Sequence, residues 1–149
     1  MKKYLVIVLA FVIGTTMGLA APLAEHLLDS KPAEGVLVNP EQFFKDNPTT
    51  KQVQFDAVFT SPRTVVNLAR ISGPFIGRHI HTETDELVYL LKGKCEVFLN
   101  GKWVMMKPGD LHVCPRGVAH TTRAVDKEGF QAIAIFTQPT ANDKVMIDD

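Results

Sequence analysis

The chain lacks an excess of charge of either sign, because 16 basic side chains balance 16 acidic ones over 149 residues. A nucleic-acid-binding surface needs clustered Lys and Arg, and nothing in the chain resembles such a cluster. We therefore expect no nucleic-acid partner. The hydrophobic content of 46 % and the charged content of 21 % are ordinary for a globular protein. The length suits one domain.

Cysteine is scarce as well, since only Cys95 and Cys114 are present. Neither has the spacing of a redox pair or a zinc knuckle, so the sequence gives no support to a catalytic thiol. In an oxidising compartment the two could form a disulfide if both face the interior with Cα atoms within about 7 Å. Two buried thiols are the expected alternative.

The N-terminal segment contains a long uncharged run. Lys2 and Lys3 precede the uncharged residues 4–24, and small residues at Gly18 and Ala20 precede Ala21. This layout predicts a secretory signal peptide over residues 1–20. The alternative is an uncleaved anchor in the inner membrane, because about 20 apolar residues can span a bilayer. In both cases the positively charged N-terminus stays inside, so we expect an exported, periplasmic domain.

Residues 21–50 read as a linker that ends in a short helix. Pro32, Gly35 and Pro40 break most of this segment. Asn39 is a suitable N-cap, Pro40 suits the first helical position, and Gln42 follows three residues after the cap. These signals predict a helix that continues through Lys45.

Residues 51–139 are a succession of short apolar segments separated by turn signals. The predicted strands are 53–59, 63–71, 75–81, 86–92, 94–99, 102–106, 111–114, 119–125 and 130–137. Asn100-Gly101 predicts a two-residue hairpin with a type I′ turn. Strands at this spacing without helices between them favour an all-β sandwich or barrel, and a small barrel can hold one ligand. Residues 140–149 are polar and are expected to form a flexible tail.

Two histidines and a carboxylate stand out within this region. His79 and His81 are one residue apart, so in a strand they point to the same face. Glu86 opens the next apolar run and would add a carboxylate from the neighbouring strand. His120 follows a proline and glycine turn and can be delivered to the same interior. Three imidazoles and one carboxylate suit one divalent transition metal: Fe, Mn, Ni, Cu, Co or Zn.

The spacing of these residues resembles that of the cupin superfamily. The first cupin motif, G(X)5HXH(X)4E(X)6G, is matched at Gly73, His79, His81, Glu86 and Gly93. The second, G(X)5PXG(X)2H(X)3N, is matched at Gly109, Pro115, Gly117 and His120, with Ala124 in place of the final Asn. The chain therefore resembles a small, single-domain cupin of the type-2 kind.

The resemblance implies a double-stranded β-helix, also called a jelly-roll barrel, with the short helix before it. It also implies one divalent metal bound by His79, His81, Glu86 and His120. Isolated cupin barrels are commonly dimers, so a homodimer is expected. Residues 53–59 could supply its exchanged or edge-pairing strand, because open sheet edges need to be covered.

The period-two pattern of a strand predicts the neighbours of the metal. Phe75 shares the face of His79, Val88 and Leu90 share that of Glu86, and Thr122 shares that of His120. This predicts an apolar pocket wall with a hydroxyl near the metal. Arg70 could reach inward to an anionic substrate or point outward. The second motif does not require His112, which we expect to be a packed or surface residue rather than a fifth ligand.

The same fold and ligand set serve several chemistries, so two functions remain open. The first is a metal-dependent enzyme, such as a dioxygenase, isomerase or lyase. Its small-molecule ligand would be an oxygen-rich organic acid or sugar derivative chelated by the metal. No catalytic acid or base can be named from the sequence. The second function is a non-catalytic ligand-binding or accessory module, in which the metal holds a ligand or braces the barrel.

Overall fold

A computed structural model describes residues 34–73, 76–138 and 143–147. All the elements described below belong to one unit, residues 35–149. The predicted signal peptide, most of the linker, and Phe75 lie outside the described residues. Within the described ranges, no helix has the length and apolar character needed to cross a membrane.

The short helix α1 spans Pro40–Asp46, close to the predicted range. The Asn39 side chain accepts a hydrogen bond from the backbone N–H of Gln42 at 3.0 Å, which satisfies one of the free donors of the first turn. At the other end, the backbone N–H of Asn47 donates to the carbonyl of Phe43. Phe44 is the buried residue of the helix, so its contact with the barrel holds the element in place.

Ten strands follow within the described residues, and eight of them correspond closely to predicted ones. Their bounds are β1 Val53–Ser61, β2 Thr64–Ile71, β3 His79–His81, β4 Asp85–Gly93, β5 Cys95–Leu99, β6 Lys102–Met106, β7 Leu111–Cys114, β8 Thr121–Ala124, β9 Phe130–Thr137 and β10 Lys144–Met146. Of the described part of the predicted strand 75–81, residues 79–81 form β3 and residues 76–78 are not in a strand. The strand β10 was not predicted.

The strands form two facing layers. One is a five-stranded sheet in the order β1-β2-β9-β4-β7, and the other consists of a β10-β3 pair and a β6-β5-β8 sheet. His79 and His120 join these last two pieces, because each backbone N–H donates to the other residue's carbonyl, at 3.0 and 2.9 Å. This arrangement is the double-stranded β-helix that the sequence predicts.

The core lies between the layers and follows from the alternation of side chains along the strands. On β4 the buried residues are Glu86, Val88 and Leu90, and the β9 residues Ala132 and Ala134 are buried beside them. Leu90 is fully buried, which stabilises the fold by roughly 1.5–3 kcal/mol. The small alanines on β9 leave space in front of the sheet, and that space becomes the cavity described below.

Two local predictions can be compared directly with the backbone. Asn100 and Gly101 both have positive φ, 51° and 79°, as a type I′ hairpin between β5 and β6 requires. Cys95 and Cys114 are both buried and free, so the alternative of two buried thiols is correct and a disulfide is absent.

The described part of the C-terminal segment, residues 143–147, contains a strand. Lys144, Val145 and Met146 pair with His81, Ile80 and His79 of β3 in antiparallel register. The segment is short and carries no apolar alternation, so periodicity could not identify it as a strand. Its partner β3 would otherwise present an open edge, and β10 covers that edge.

Candidate metal centre

Four side chains meet between the two layers. His79 and His81 come from β3, and His120 comes from the residue directly before β8 in the same layer. Glu86 is the second residue of β4 and approaches from the facing sheet. One potential ligand atom from each of the four lies within 4.8 Å of the others. The structure therefore brings together all four residues that the sequence predicts as metal ligands.

The rings converge because the short strand is held on both sides. The ring centroids of His79 and His81 are 5.2 Å apart, and those of His79 and His120 are 4.4 Å apart. The Nε2 atom of His120 lies 2.8 Å from a Glu86 carboxylate oxygen, and the Nε2 atom of His81 lies 3.5 Å from the same oxygen. Glu86 thus faces the Nε2 atoms of two histidines.

The other ring nitrogen of each histidine is already engaged. His79 Nδ1 donates to the carbonyl of Gly77 and His120 Nδ1 donates to the carbonyl of Val118, both at 2.9 Å. His81 Nδ1 donates to the carboxylate of Asp143 at 3.0 Å. Because these oxygens only accept, each Nδ1 atom carries a proton, which leaves Nε2 as the atom that would bind a metal ion. Histidine ligands in metalloproteins are commonly oriented by such partners, so the donor set fits a metal ion.

Asp143 is a functional residue that sequence analysis missed. It lies 62 residues after His81 and has no motif around it. Its backbone carbonyl accepts from the N–H of Thr82 at 2.9 Å, which anchors the start of β10 beside the ligand strand. Burial raises the pKa of Asp143, but hydrogen bonds from Thr84 and His81 outweigh burial and lower it. The side chain is therefore a carboxylate that faces the His81 ring.

Glu86 and His120 form a charged pair. Burial raises the pKa of Glu86, but hydrogen bonds from His120 and His81 outweigh it and lower the pKa to about 2. Burial lowers the pKa of His120, but hydrogen bonds with Cys114 and Glu86 raise it to about 10. The metal-free protein thus holds a proton on His120 Nε2, at the position where an ion would bind.

The pKa values of the other two histidines are shifted in opposite directions. Burial lowers the pKa of His79 to about 4, so this ring is neutral near pH 7. The hydrogen bond with Glu86 raises the pKa of His81, and Asp143 acts in the same direction. A neutral His79 is ready to coordinate, whereas His120 must lose a proton to do so.

A cavity of 290 Å³ opens in front of these four residues. Val88 and Thr122 line it, as predicted from strand parity. Leu90 has the expected parity but is fully buried in the core and is not among the lining residues. The prediction for Phe75 lies outside the described residues.

Arg70 does not reach the cavity. Its neighbours Ala69 and Ile71 line the interior, so Arg70 projects from the opposite face of β2. There it bonds to Asp56 at 3.2 Å and to the carbonyl of Asn47, and its guanidinium lies 5.2 Å from the centre of the Phe44 ring. The outward alternative is the one that the structure adopts.

His112 is buried directly behind the site. It is 4 % exposed, and its ring centre lies 6.2 Å from that of His120. Neither ring nitrogen has a hydrogen-bond partner within the described residues, and burial lowers the pKa of the ring. His112 is not part of the cluster of ligand atoms, and its deep burial makes it a packed residue rather than a surface one.

Comparison with known proteins adds a family and a set of structural relatives. The model of the cupin domain family matches residues 71–136, which include all four candidate ligands. A search of curated proteins finds no match.

Three solved structures illustrate the fold. An uncharacterised conserved protein with a double-stranded β-helix domain from Klebsiella pneumoniae superposes with a TM-score of 0.64 at 18 % identity, over 78 % of this chain and 100 % of its own. KdgF from a Halomonas species superposes with a TM-score of 0.57 at 24 % identity, over 61 % of this chain and 83 % of its own. A cupin-2 domain protein from Shewanella frigidimarina superposes with a TM-score of 0.58 at 19 % identity, over 66 % of this chain and 92 % of its own.

At these identities the structural relatives show the fold alone. The family match, the barrel and the two motifs in register agree with one another. Residues 71–136 therefore form a domain that matches the cupin family, and the barrel to which they belong has the cupin fold.

Proposed function

We propose that this protein is a metal-dependent enzyme that acts on a small oxygen-containing molecule, an organic acid or a sugar derivative, held at a site of three histidines and one glutamate. One observation carries the proposal. One potential ligand atom from each of three histidines and one glutamate lies within 4.8 Å of the others, directly in front of a 290 Å³ cavity, and each histidine has a hydrogen-bond partner on Nδ1. A purely structural ion would not need an adjoining cavity of this size.

His79, His81, Glu86 and His120 would hold the ion. A divalent transition metal bound there would supply Lewis acidity toward a ligand oxygen, and a redox-active one would add electron transfer. The protein positions the three imidazoles through their Nδ1 partners. The apolar cavity wall excludes water, which strengthens electrostatic interactions at the ligand.

The cavity lining limits the chemistry that the protein itself can perform. Apart from the four ligands, Lys144 is the titratable side chain among the described residues that line the cavity. No other carboxylate or imidazole in that set can serve as a general base. A dioxygenase, isomerase or lyase that relies chiefly on the metal suits such a cavity better than a hydrolase with a dedicated nucleophile.

The test begins with elemental analysis of the full chain purified without added metal. We expect about one transition-metal ion per chain, and its loss in His81→Ala. A screen of organic acids and sugar acids, with oxygen consumption recorded, then looks for turnover. Metal retention without turnover of any candidate would favour the alternative function, a non-catalytic binding or accessory module. Absence of any transition metal from the wild-type chain would overturn both the enzyme function and the accessory function.

We also propose that the domain works outside the cytoplasm. The layout of residues 1–24 supports this, with a cleaved signal peptide as the favoured form and an uncleaved membrane anchor as the alternative. Intact-mass measurement of protein from a periplasmic extract tests it. A chain that starts at Ala21 is expected; a full-length chain in the membrane fraction would indicate the anchor, and a full-length chain in the cytosol would contradict export.

A further inference from the structure

Lys144 lies beside the metal centre on the cavity side. It pairs directly with His81 across the β10–β3 ladder. Directly opposed residues in an antiparallel pair project from the same face, with Cβ atoms about 5 Å apart. His81 points to the ligand cluster, so Lys144 points the same way, and it is one of the residues that line the cavity.

The Lys144 ammonium is not committed to another side chain. None of the ion pairs formed by the described residues involves Lys144. The two carboxylates of the site are already in use, because Glu86 faces His120 and His81, and Asp143 accepts from His81. Lys144 is exposed to solvent and also lines the cavity, so a ligand can reach it. A cation without an ion-pair partner at such a place favours an anionic ligand.

The remainder of the cavity is largely apolar. Its described apolar lining residues are Phe55, Ala69, Ile71, Ile76, Val88, Phe130, Ala132, Ala134 and Phe136. The uncharged polar residues of the lining are Asn67, Thr121 and Thr122. A polyhydroxylated sugar placed against such a wall would leave hydroxyl groups without hydrogen-bond partners, which disfavours its binding. An aliphatic or aromatic group would lose no such bonds.

From these three observations we infer that the ligand is a carboxylic acid with an apolar body, whose carboxylate binds Lys144 beside the metal and whose body packs against the apolar wall. The inference rests on the proposed function and makes it more specific. It selects the organic acid over the sugar derivative, and it moves the anion-binding role from Arg70 to Lys144.

The test uses binding rather than turnover. Full-length protein loaded with Mn²⁺ is titrated by calorimetry with three probes: α-hydroxyisocaproate, its primary amide, and gluconate. The acid and the amide share an apolar body and a chelating hydroxyl. They differ in the neighbouring group, which is a charged carboxylate in the acid and a neutral amide in the other probe. Gluconate keeps the hydroxy acid but has a polyol body. Each titration is repeated with Lys144→Met, which keeps the length of the side chain, and with Lys144→Arg, which keeps its charge.

We expect the wild type to bind α-hydroxyisocaproate about tenfold more tightly than either comparison probe. Lys144→Met should weaken binding of the acid by about tenfold and change binding of the amide little, and Lys144→Arg should restore most of the loss. Bound Mn²⁺ should be equal in all three proteins. Equal binding of the acid by wild type and Lys144→Met, tighter binding of gluconate, or no binding of any probe to the Mn²⁺-loaded protein would overturn the inference.

These outcomes are separate from those that test the proposed function. Failure to take up any metal overturns the function itself, and the ligand assignment falls with it. A protein that takes up metal and turns over a sugar acid, with Lys144→Met as active as the wild type, would retain the function and refute the ligand assignment alone.

Discussion

The three candidate histidine ligands use different Nδ1 partners for the same purpose. Two donate to backbone carbonyls within two residues of their own position, Gly77 for His79 and Val118 for His120. These carbonyls are fixed by the local backbone and cannot be removed by substitution of a side chain. His81 instead depends on the side chain of Asp143, so its orientation can be tested by mutation.

Asp143→Ala should weaken metal binding by about 10- to 100-fold, because His81 loses the partner that fixes its ring and increases its basicity. Asp143→Asn can still accept from Nδ1 but has no charge, so its loss should be smaller. The measurement is competition against a chromophoric chelator with the full chain. Asp110→Asn, which removes a carboxylate in an exposed turn, is the control and should bind metal like the wild type. Wild-type affinity in Asp143→Ala would show that the hydrogen bond has no role in the site.

His112 provides a contrasting residue-scale prediction. Its two ring nitrogens are buried without partners in the described residues, so an apolar replacement removes a desolvation cost. His112→Leu should therefore unfold at the same denaturant concentration as the wild type or a higher one, and it should keep its full metal content. His120→Leu should lose the metal. Loss of metal in His112→Leu would identify His112 as a ligand, contrary to its assignment as a packed residue.

The Glu86–His120 pair predicts how the metal-free protein responds to alkaline pH. The pKa of His120 is raised from 6.5 to about 10, so its stabilising contribution is complete below pH 6.5 and is lost as pH rises toward 10. His79, with its lowered pKa, is neutral in the folded state over this range, and its unfolded form, with a pKa of 6.5, is largely neutral from about pH 7.5. Stability should therefore fall from about pH 7.5 upward, by at most about 1.4 kcal/mol per pH unit for one proton.

Chemical denaturation in the presence of a chelator, at several values between about pH 7.5 and 9, measures this slope. Glu86→Gln removes the charge that supports the His120 proton, so its slope should be much shallower. A wild-type stability that is flat or that rises over this interval would contradict the assignment of a proton to His120.

The four ligands were predictable because the spacing of two motifs fixes them, whereas Asp143 and Lys144 were not. Both lie in a segment with no apolar periodicity, and only three-dimensional pairing brings them to His81. The sequence left Arg70 open between an inward and an outward position, and the structure adopts the outward one. The parity of β2 is set by its buried neighbours Ala69 and Ile71, and the sequence could not show which parity faced inward.

At the scale of elements, β3 depends on its neighbours more than on itself. It has three residues, and strands of this length have little independent stability. On one side it pairs with β10, and on the other it is held by the His79–His120 bridge. Most strands were identified from the sequence because they are longer and lie between clear turn signals. β10 was missed because its stability comes from the edge that it covers.

A chain that ends at Gln138 should lose this support. Without β10, the ligand strand β3 has an open edge, His81 has no Asp143, and the cavity has no Lys144. We expect a loss of metal affinity at least as large as that of Asp143→Ala, measured by the same chelator competition. A chain that ends at Ile147 keeps every described contact of β10 and is the control. If the chain ending at Gln138 binds metal like the control, β10 has no role in the metal site.

At the scale of the whole molecule, the outer face of the five-stranded sheet is covered by other residues on one half and exposed to solvent on the other. Near β1 and β2, the segment before α1 contributes Val36 and Val38 to a groove that also contains Val58 and Val66. Near β4 and β7 the face stays open. Tyr89, Leu111 and Val113 are exposed by 40 %, 56 % and 50 %, and Tyr89 and Leu111 are directly paired across the two strands.

We propose that a second copy of the chain covers this open half, which gives the homodimer that the family resemblance implies. An exposed apolar face next to an edge strand favours association. Sedimentation of the wild-type protein should give a dimer, and Leu111→Lys combined with Val113→Lys should give a folded monomer, since both positions are already accessible to solvent. Val104→Lys combined with Met105→Lys, on the other layer, is the control and should remain dimeric. A monomeric wild type would refute the dimer. A dimer that survives the substitutions at Leu111 and Val113 would place the interface elsewhere. The other edge strand, β1, would then be the next candidate.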